Sequence, residues 1–217
     1  MENKNSLDFF AQMAENNPNE KSVKITASSD FSDKDAAFLL NFVTKNSEIL
    51  DLASGTGLII NKIFNYVKHI TAIEAFPEFT GFIERSDKIT IVNEDISLFL
   101  TPKKFDLITM FGVSQYFNEA EISNIYEKYF LMLKTDGKLI IKNQFGINED
   151  VLISGYSEEL KVDYYSEYRH IDKEVKIIEK IGFTNVDVID IYPPECNRWG
   201  NTHFYAIVAD ASMQKLV

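Results

Sequence analysis

Hydrophobic and polar positions along this chain follow two different periods. Short segments rich in apolar residues, which predict strands, occupy residues 49–52, 69–74, 89–93, 105–111, 138–144, 183–191 and 201–209, and the run at 105–111 is nearly continuous, as in a strand buried in a parallel sheet. Apolar residues recur at helical spacing in the segments between them, at residues 33–43, 57–66, 77–83, 119–133 and 172–181. This alternation of strand and helix predicts an α/β fold with parallel strands and right-handed crossovers.

The last two predicted strands must be connected in another way. The segment between them, residues 192–200, is too short to hold a crossover helix. Residues 183–191 and 201–209 are therefore predicted to pair as an antiparallel hairpin at the end of the chain.

Two segments stand outside the alternation. Residues 1–30 are polar apart from one amphipathic stretch, Leu7–Met13, which predicts a short helix before a break at residues 16–19. Residues 145–168 mix tyrosine and phenylalanine with glycine, serine and acidic residues, and they show only weak periodicity.

Two helices begin with capping signals. Ser32 is the predicted N-cap of the helix that starts at Asp33. Asn118 and Glu121 form a predicted capping box for the helix from residue 119, whose apolar stripe marks it as part of the core.

A glycine turn follows the first predicted strand. Residues 49–52 lead into Ser-Gly-Thr-Gly at 54–57, and a helix opens directly afterwards. Glycines let the backbone approach a ligand closely, and free N–H groups at a helix N-terminus point towards it. Glu74, about 20 residues further on, ends the second strand, where a carboxylate would hold the two hydroxyls of an adenosine ribose. The arrangement predicts an adenosine-containing cofactor.

The spacing of the glycines separates two families of cofactor-binding proteins. A dinucleotide fingerprint needs a small residue at position 60, where this chain has Ile60. The run Asp51-x-Ala53-x-Gly55-x-Gly57 instead resembles motif I of the class I S-adenosylmethionine (SAM) methyltransferases, with Ala53 in place of the first glycine. The resemblance covers about residues 33–209.

This resemblance implies both a fold and a cofactor. The fold is a Rossmann-like seven-stranded sheet in the order 3-2-1-4-5-7-6, with strand 7 antiparallel and helices on both faces. The cofactor is SAM, and the product is S-adenosylhomocysteine (SAH). In the family, an acid just past the third strand binds the adenine amino group and the next apolar residue packs on the ring. Asp95 and Ile96 match these positions, although a helix-capping aspartate before a core isoleucine is an alternative that is compatible with the same role.

The cofactor-binding residues that the resemblance implies are Asp51, Ala53, Ser54, Gly55, Gly57, Glu74, Ala75, Asp95, Ile96 and Phe111.

The acceptor is expected beyond the C-terminal ends of the strands, where ligands bind in doubly wound sheets. The loop at 112–117 and the turn at 192–200 should lie there. Residues 145–168 are interpreted as a substrate cap, with a mobile loop or a dimer contact as alternatives. Residues 1–30 are interpreted as a lid, with a helix that simply packs on the sheet as an equal alternative.

A hydroxyl acceptor would need a general base, and histidine is the usual choice. His170 and His203 are predicted at the ligand end of the sheet and are the candidate catalytic residues, whereas His69 lies at the remote end. The alternative for His203 is a hydrogen-bonded histidine at a strand start.

Basic residues near the same end could receive a phosphate or carboxylate on the acceptor. Arg169 and Arg198, together with Lys142, are the candidates, and a rim salt bridge is the alternative for Arg198. The predicted substrate-binding residues are Tyr116, Gln144, Arg169, Arg198, Trp199 and Asn201.

Composition limits the remaining classes of function. With 217 residues, 45% of them hydrophobic, the chain is expected to form a single domain. A net charge of −11 disfavours nucleic acid as a substrate. The lone cysteine, Cys196, and the lack of a signal peptide or long apolar run predict a cytoplasmic protein, without a membrane segment or a metal site, as a monomer or homodimer.

The function predicted from all these features is methyl transfer to a small polar acceptor. A hydroxyl of a sugar, nucleotide-sugar or phosphorylated metabolite in bacterial surface-polysaccharide synthesis is preferred. The alternatives are N-methylation of a small molecule and a SAM-binding module without catalysis.

Overall fold

The computed structural model describes residues 2–16, 19, 30–157, 162–197 and 199–212. The helices are α1 (Glu2–Asn16), α2 (Ser32–Leu40), α3 (Ile60–Ile63), α4 (Pro77–Thr80), α5 (Glu119–Phe130) and α6 (Ile171–Ile181). The strands are β1 (Glu48–Leu52), β2 (His69–Ile73), β3 (Ile89–Val92), β4 (Phe105–Phe111), β5 (Leu133–Gly146), β6 (Val151–Ser157), β7 (Val162–Tyr168), β8 (Thr184–Asp190) and β9 (Thr202–Asp210). Single 3-10 turns occupy Phe64–Tyr66, Ser114–Tyr116 and Pro194–Cys196.

A seven-stranded sheet has the order β3-β2-β1-β4-β5-β9-β8. β1 pairs in parallel with β2, and β2 pairs in parallel with β3. β9 runs antiparallel to both of its neighbours, β5 and β8. The predicted sixth and seventh strands are therefore β8 and β9, and the predicted sheet order and terminal antiparallel strand are confirmed.

The chain divides into two compact units. The glycine-turn unit, Phe10–Thr109, holds β1, β2, β3 and most of β4. The hairpin unit, Met1–Phe9 together with Met110–Val217, holds β5 to β9. In β1 and β2 four successive residues are buried, as expected for parallel strands that are covered on both faces.

α5 begins with the predicted capping box. The side chain of Asn118 accepts a hydrogen bond from the backbone N–H of Glu121, and the carboxylate of Glu121 accepts one from the backbone N–H of Asn118. Both caps use N–H groups that the first turn of a helix leaves without intrahelical partners. Leu133, which the sequence pattern assigns to this helix, is instead the first residue of β5.

The predicted irregular segment at 145–168 contains an antiparallel hairpin of β6 and β7 that forms a separate two-stranded sheet. Successive side chains of a strand point to opposite faces, so Tyr164, Ser166 and Tyr168 share one face of β7 and Tyr165 lies on the other. Aromatic and polar residues occur on both faces. Hydrophobic periodicity therefore cannot reveal this strand.

Local details differ at three other helices. Ser32 is the first residue of α2 rather than its N-cap, and Asp30 accepts hydrogen bonds from its backbone N–H (3.0 Å) and its hydroxyl (2.6 Å). α3 and α4 are single turns, shorter than the apolar spacing predicts. Part of the predicted break after α1, at residues 17–18, lies outside the described residues.

Within the described part of the chain, every helix is too short or too polar to span a lipid bilayer.

Candidate functional site

The glycine turn after β1 has the backbone conformation that its sequence requires. Ala53, Gly55 and Gly57 all have positive φ, at 55°, 55° and 77°. The turn is closed by hydrogen bonds from the Ser54 N–H to the Ile73 carbonyl (2.9 Å) and from the Gly57 N–H to the Ser54 carbonyl (3.0 Å). Glycine adopts such angles at little cost, whereas Ala53 is held there against its own preference.

We expect Gly57→Ala to destabilise the protein more than Gly112→Ala. The two glycines have similar φ, 77° and 69°, so alanine meets comparable backbone strain, about 1–2 kcal/mol, at either position. At Gly57 the new Cβ would also lie 2.8 Å from Cγ1 of the buried Ile83, whereas at Gly112 it would meet nothing within 4 Å. Denaturant unfolding of both variants measures their free energies of unfolding. An equal loss of unfolding free energy in the two variants would contradict the steric argument.

Glu74 is buried directly beside this turn. One oxygen of its carboxylate accepts a hydrogen bond from the Gly55 N–H (2.8 Å), and the other accepts one from the Phe76 N–H (3.1 Å). Burial raises the pKa of Glu74 to about 7, although the backbone N–H groups that bind it act in the opposite direction. The direct bond from Gly55 to Glu74 is not evident from the sequence, which predicted only that the two residues would serve one ligand.

Asp51 lies within β1 and is also buried. Its carboxylate accepts a hydrogen bond from the Thr109 hydroxyl (2.5 Å), and its backbone carbonyl accepts one from the Ser54 hydroxyl (3.1 Å). Burial raises the pKa of Asp51 to about 6, against the effect of these hydroxyl groups. Two carboxyl groups with raised pKa values therefore lie next to one glycine turn, a pattern that functional sites share.

Asp95 closes a turn between β3 and β4 rather than capping a helix, because no helix lies between these two strands in the described residues 93–104. Its carboxylate accepts a hydrogen bond from the Ser97 N–H (2.6 Å), and its carbonyl accepts bonds from the N–H groups of Leu98 and Phe99. Ile96 is buried, and Ala75, beside Glu74, is half-buried. Contacts of these three residues with adenosine remain a prediction.

The glycine turn and Glu74 suit an adenosyl cofactor. The positive φ of Gly55 and Gly57 bends the backbone into a tight turn, which leaves the turn without bulky side chains where a ligand would approach. Each carboxylate oxygen of Glu74 accepts one backbone N–H and retains a further lone pair, so it can accept a hydroxyl group of a ribose as well.

In the hairpin unit, His203 is buried near the C-terminal end of β5, where it pairs with Phe145. Its Nε2 lies 2.9 Å from a carboxylate oxygen of Asp190, and its Nδ1 lies 3.1 Å from the side-chain oxygen of Asn197. A neutral ring has a single N–H, so it donates from Nε2 to Asp190, and Nδ1 then accepts a hydrogen bond once the Asn197 amide is turned to present its nitrogen. With both ring nitrogens occupied in this way, His203 corresponds to the alternative of a hydrogen-bonded histidine at a strand start. A catalytic role for His203 remains a prediction.

His170 is the N-cap of α6. Its Nδ1 accepts a hydrogen bond from the Asp172 N–H at 3.2 Å, so in this arrangement a neutral ring carries its proton on Nε2. The lone pair that a base would need is the one that caps the helix. Its role as a base likewise remains a prediction.

Arg169 is not available as an anion receptor, and the structure corrects that prediction. Its side chain is fully buried, and Nε donates to Glu174 at 2.5 Å. The terminal nitrogens donate to the carbonyl oxygens of Phe117 (2.6 Å) and Ser114 (2.9 Å). The guanidinium therefore joins the start of α6 to the loop after β4, and a ligand could reach it only by displacing these groups.

The other predicted acceptor residues are engaged with their own surroundings. Trp199 donates to the hydroxyl of Tyr168 at 3.2 Å, and Gln144 donates to the hydroxyl of Thr202. Asn201 accepts hydrogen bonds from both the backbone and the side chain of Asn148.

An aromatic pair and a lysine lie in the same unit. The buried ring of Tyr116 lies edge-on to that of Tyr164, with centroids 6.4 Å apart. The Lys142 ammonium lies 4.9 Å from the ring centroid of Phe111 and donates to the Tyr192 hydroxyl at 2.8 Å. Arg198 lies outside the described residues.

Sequence reasoning missed the buried partners of Arg169. Glu174 has no exposed surface, and it also accepts a hydrogen bond from the Tyr126 hydroxyl. A signal was present, because Glu174 occupies the same helical stripe as Ile177 and Ile178. A carboxylate on the apolar stripe of a helix indicates a buried cationic partner.

Comparisons with known proteins agree with this geometry. Residues 49–137 match the family described as a methyltransferase domain. No curated protein sequence matches the chain.

The fold is similar to several solved structures. That of DhpI with SAH is 13% identical and aligns over 97% of this chain and 98% of that chain, with a TM-score of 0.75. A Burkholderia thailandensis 1,6-didemethyltoxoflavin-N1-methyltransferase is 15% identical over 97% of this chain and 88% of that one, with a TM-score of 0.74. The N-methyltransferase NodS from Bradyrhizobium japonicum is 16% identical over 95% and 97%, with a TM-score of 0.65.

The matched segment contains the glycine turn, Glu74 and Asp95, and these residues follow β1, β2 and β3 in a sheet with the strand order of the class I enzymes. The prediction of SAM as cofactor and SAH as product is confirmed. The protein has the class I methyltransferase fold, and it is a SAM-dependent methyltransferase.

Proposed function

We propose that the enzyme methylates a nitrogen atom of a small molecule. Methyl transfer from SAM to a small-molecule acceptor is the established part of this statement, and the acceptor atom is the proposed part. One observation carries the choice of nitrogen: the two candidate bases are already engaged. The lone pair of His170 caps α6, and both ring nitrogens of His203 have hydrogen-bond partners.

The chemistry of the acceptor makes this observation relevant. Bound SAM supplies a methyl group that is activated by the adjacent sulfonium. An alcohol has a pKa far above 7 and gains from a base that removes its proton during attack. An uncharged amine or ring nitrogen already has a lone pair, and it can release any proton to water after transfer. The protein then has to bind and orient the acceptor, which alone can contribute several kcal/mol.

Two of the similar structures are N-methyltransferases by name, and this supports the same choice. The N-terminal part of α1 supports the proposed role of residues 145–168 as a substrate cap. The hydroxyl of Ser6 donates to the Tyr165 carbonyl at 3.4 Å, and the ring centroid of Phe9 lies 5.0 Å from that of Tyr164. The N-terminal part of α1 thus packs directly on β7 within the hairpin unit.

A hydroxyl acceptor is the second candidate, either on a sugar or nucleotide-sugar of surface-polysaccharide synthesis or on a phosphorylated metabolite. The observation that favours it is the pairing of His203 with Asp190 at 2.9 Å, because a carboxylate can orient an imidazole as a base. This mechanism would need Asn197 to release Nδ1.

An acceptor screen with labelled SAM tests the proposal. The panel would contain amines, nitrogen heterocycles, sugars, nucleotide-sugars and phosphorylated metabolites, and NMR of the product would locate the new methyl group. A product methylated only on oxygen would overturn the nitrogen assignment.

The substitution His203→Gln separates the two mechanisms. With a nitrogen acceptor we expect kcat to change by less than about threefold. With a hydroxyl acceptor the substitution would remove the general base and lower kcat by about 10²–10⁴-fold. SAH binding by calorimetry serves as the folding control. A large loss of kcat with unchanged SAH affinity would favour the hydroxyl mechanism.

A further inference from the structure

We propose that the acceptor molecule carries, beside its reacting nitrogen, an uncharged group that both donates and accepts hydrogen bonds, such as a carboxamide or an amino-substituted heterocycle, and that Tyr164, Ser166 and Gln115 bind this group. Tyr164 and Ser166 lie on one face of β7, and Gln115 lies in the turn Ser114–Tyr116. This inference rests on the proposed function and names the class of its acceptor.

Three buried polar atoms carry the inference. The Tyr164 hydroxyl, the Ser166 hydroxyl and the side-chain oxygen of Gln115 are buried and make no hydrogen bond within 3.5 Å among the residues that the structure describes. The hydroxyls of Tyr116 and Tyr168 lie beside them and interact with them only at longer range. Ser166 has no exposed surface, and Gln115 is 7% exposed. Native proteins leave few such atoms unpaired, because each loses its water without compensation. A ligand with complementary groups would supply the missing partners.

The three residues are held in one region. The Tyr116 ring lies edge-on to the Tyr164 ring, and Gln115 precedes Tyr116 in the chain. The Gln115 amide donates to the Gly112 carbonyl at 2.9 Å, which leaves its oxygen for another group. Gly155 pairs directly with Tyr164 across the hairpin. Gly155 is exposed and a Cβ there would meet nothing within 4 Å, so the side of Tyr164 that faces Gly155 is open to solvent and leaves a ligand a way in.

Aromatic side chains flank these polar atoms. Phe9 of α1 and Tyr116 both pack edge-on to Tyr164. On the same face of β7, Tyr168 accepts a hydrogen bond from Trp199. Aromatic surfaces with a few fixed polar groups are the usual lining of small-molecule sites and favour a flat acceptor.

The charges of the same unit disfavour an anionic acceptor. The Arg169 guanidinium is buried against Glu174 and two backbone carbonyls. Lys142 donates to Tyr192 and lies over Phe111. An anion would have to displace these partners, whereas an uncharged amide needs only the unpaired atoms of the site.

Benzamide and benzoate are the probes for a direct test, because they have nearly the same shape and differ in charge and in donor groups. Their dissociation constants for SAH-loaded protein would be measured by ligand-observed NMR titration. We expect benzamide to bind at millimolar concentration and benzoate to bind at least about tenfold more weakly. Absence of benzamide binding, or equal binding of the two probes, would overturn the inference.

Variants test the named residues. Tyr164→Phe and Ser166→Ala should each weaken benzamide binding by about three- to tenfold. Each should also raise the melting temperature of the ligand-free protein, since an unpaired buried hydroxyl is removed. Tyr165→Phe is the matched control, because its hydroxyl is bonded to Glu167 at 2.8 Å on the opposite face of β7. Unchanged benzamide affinity in the first two variants would overturn the inference.

The outcomes remain separable from those of the proposed function. Selective benzamide binding together with methylation only on oxygen would leave the site assignment standing and remove the nitrogen assignment. Methylation on nitrogen of anionic acceptors only, together with weak benzamide binding, would leave the nitrogen assignment standing and remove the site assignment.

Discussion

Arg169→Met is expected to lower the free energy of unfolding by about 3–5 kcal/mol, because it leaves the carboxylate of Glu174 buried without its cation. Both side chains of the pair are fully buried. The substitution also removes the hydrogen bonds to the Ser114 and Phe117 carbonyls. Since many domains have only 5–15 kcal/mol in total, urea unfolding at low temperature is the suitable measurement.

Two milder variants keep this prediction testable if Arg169→Met does not fold. Arg169→Lys retains the charge, but a lysine cannot bind the carboxylate and two carbonyls through one planar group. It should therefore lower the free energy of unfolding by a smaller but measurable amount. Tyr126→Phe removes only the hydroxyl donor to Glu174 and should cost about 1–3 kcal/mol. A loss for Arg169→Met no larger than that for Tyr126→Phe would contradict the ion-pair argument.

Arg169 should also act on the reaction by positioning the loop after β4. The turn Ser114–Tyr116 is held by Arg169 from one side, and Asn143 donates to the Ser114 hydroxyl at 2.8 Å. Arg169→Lys is therefore expected to raise KM for the acceptor while the SAH dissociation constant stays within about twofold. An equal change in both quantities would indicate general loosening of the fold rather than positioning of this loop.

The parts of the fold that the sequence predicted are those that follow from local patterns. Parallel buried strands are continuous apolar runs, and the short 192–200 connection permits only a hairpin. The capping box at Asn118 is visible because its two partners are three residues apart. The hairpin of β6 and β7 was missed because both faces of β7 carry polar and aromatic residues.

The acceptor side was harder to predict because its contacts join residues that are far apart in the chain. Arg169 was predicted to bind a ligand, since an arginine beside a histidine near the ligand end resembles an anion site. Its partners Ser114 and Phe117 lie 55 and 52 positions earlier, and Tyr126, which donates to Glu174, lies 48 positions before that glutamate, so no local pattern connects them. The cofactor side was easier, because the glycine turn and Glu74 are set by consecutive strands.

The two buried carboxyl groups of the glycine-turn unit should make the ligand-free protein less stable as pH rises. Burial raises the pKa of Glu74 from 4.5 to about 7 and that of Asp51 from 3.8 to about 6. Between about pH 4 and pH 7 the folded state therefore binds more protons than the unfolded state, and the free energy of unfolding falls with increasing pH. The stabilisation that comes from these two protonated carboxyl groups is fully present below about pH 4 and is lost above about pH 7. Each group contributes roughly 3 kcal/mol as an upper bound.

Urea unfolding of ligand-free protein from pH 4 to pH 8 measures this slope. Glu74→Gln and Asp51→Asn each remove one titrating group, so each variant should show a flatter profile than the parent protein. A parent stability that rises steadily over this interval, unchanged by both substitutions, would show that neither carboxyl is protonated in the folded state.

Cofactor affinity should change with pH in the opposite direction. If Glu74 binds the ribose hydroxyls, these donors favour its ionised form and lower its pKa in the complex. Binding then releases a proton below about pH 7, and the affinity for SAH should rise by up to about 10²-fold between pH 5 and pH 8. Calorimetry in buffers of different ionisation enthalpy would detect the released proton directly.

Glu74→Gln should abolish the pH dependence, and Glu74→Ala should weaken SAH binding by ~1–3 kcal/mol at pH 8. If affinity were independent of pH and insensitive to Glu74→Gln, the ribose would have to be bound by other residues, and the raised pKa of Glu74 would be a consequence of its burial beside Gly55 alone.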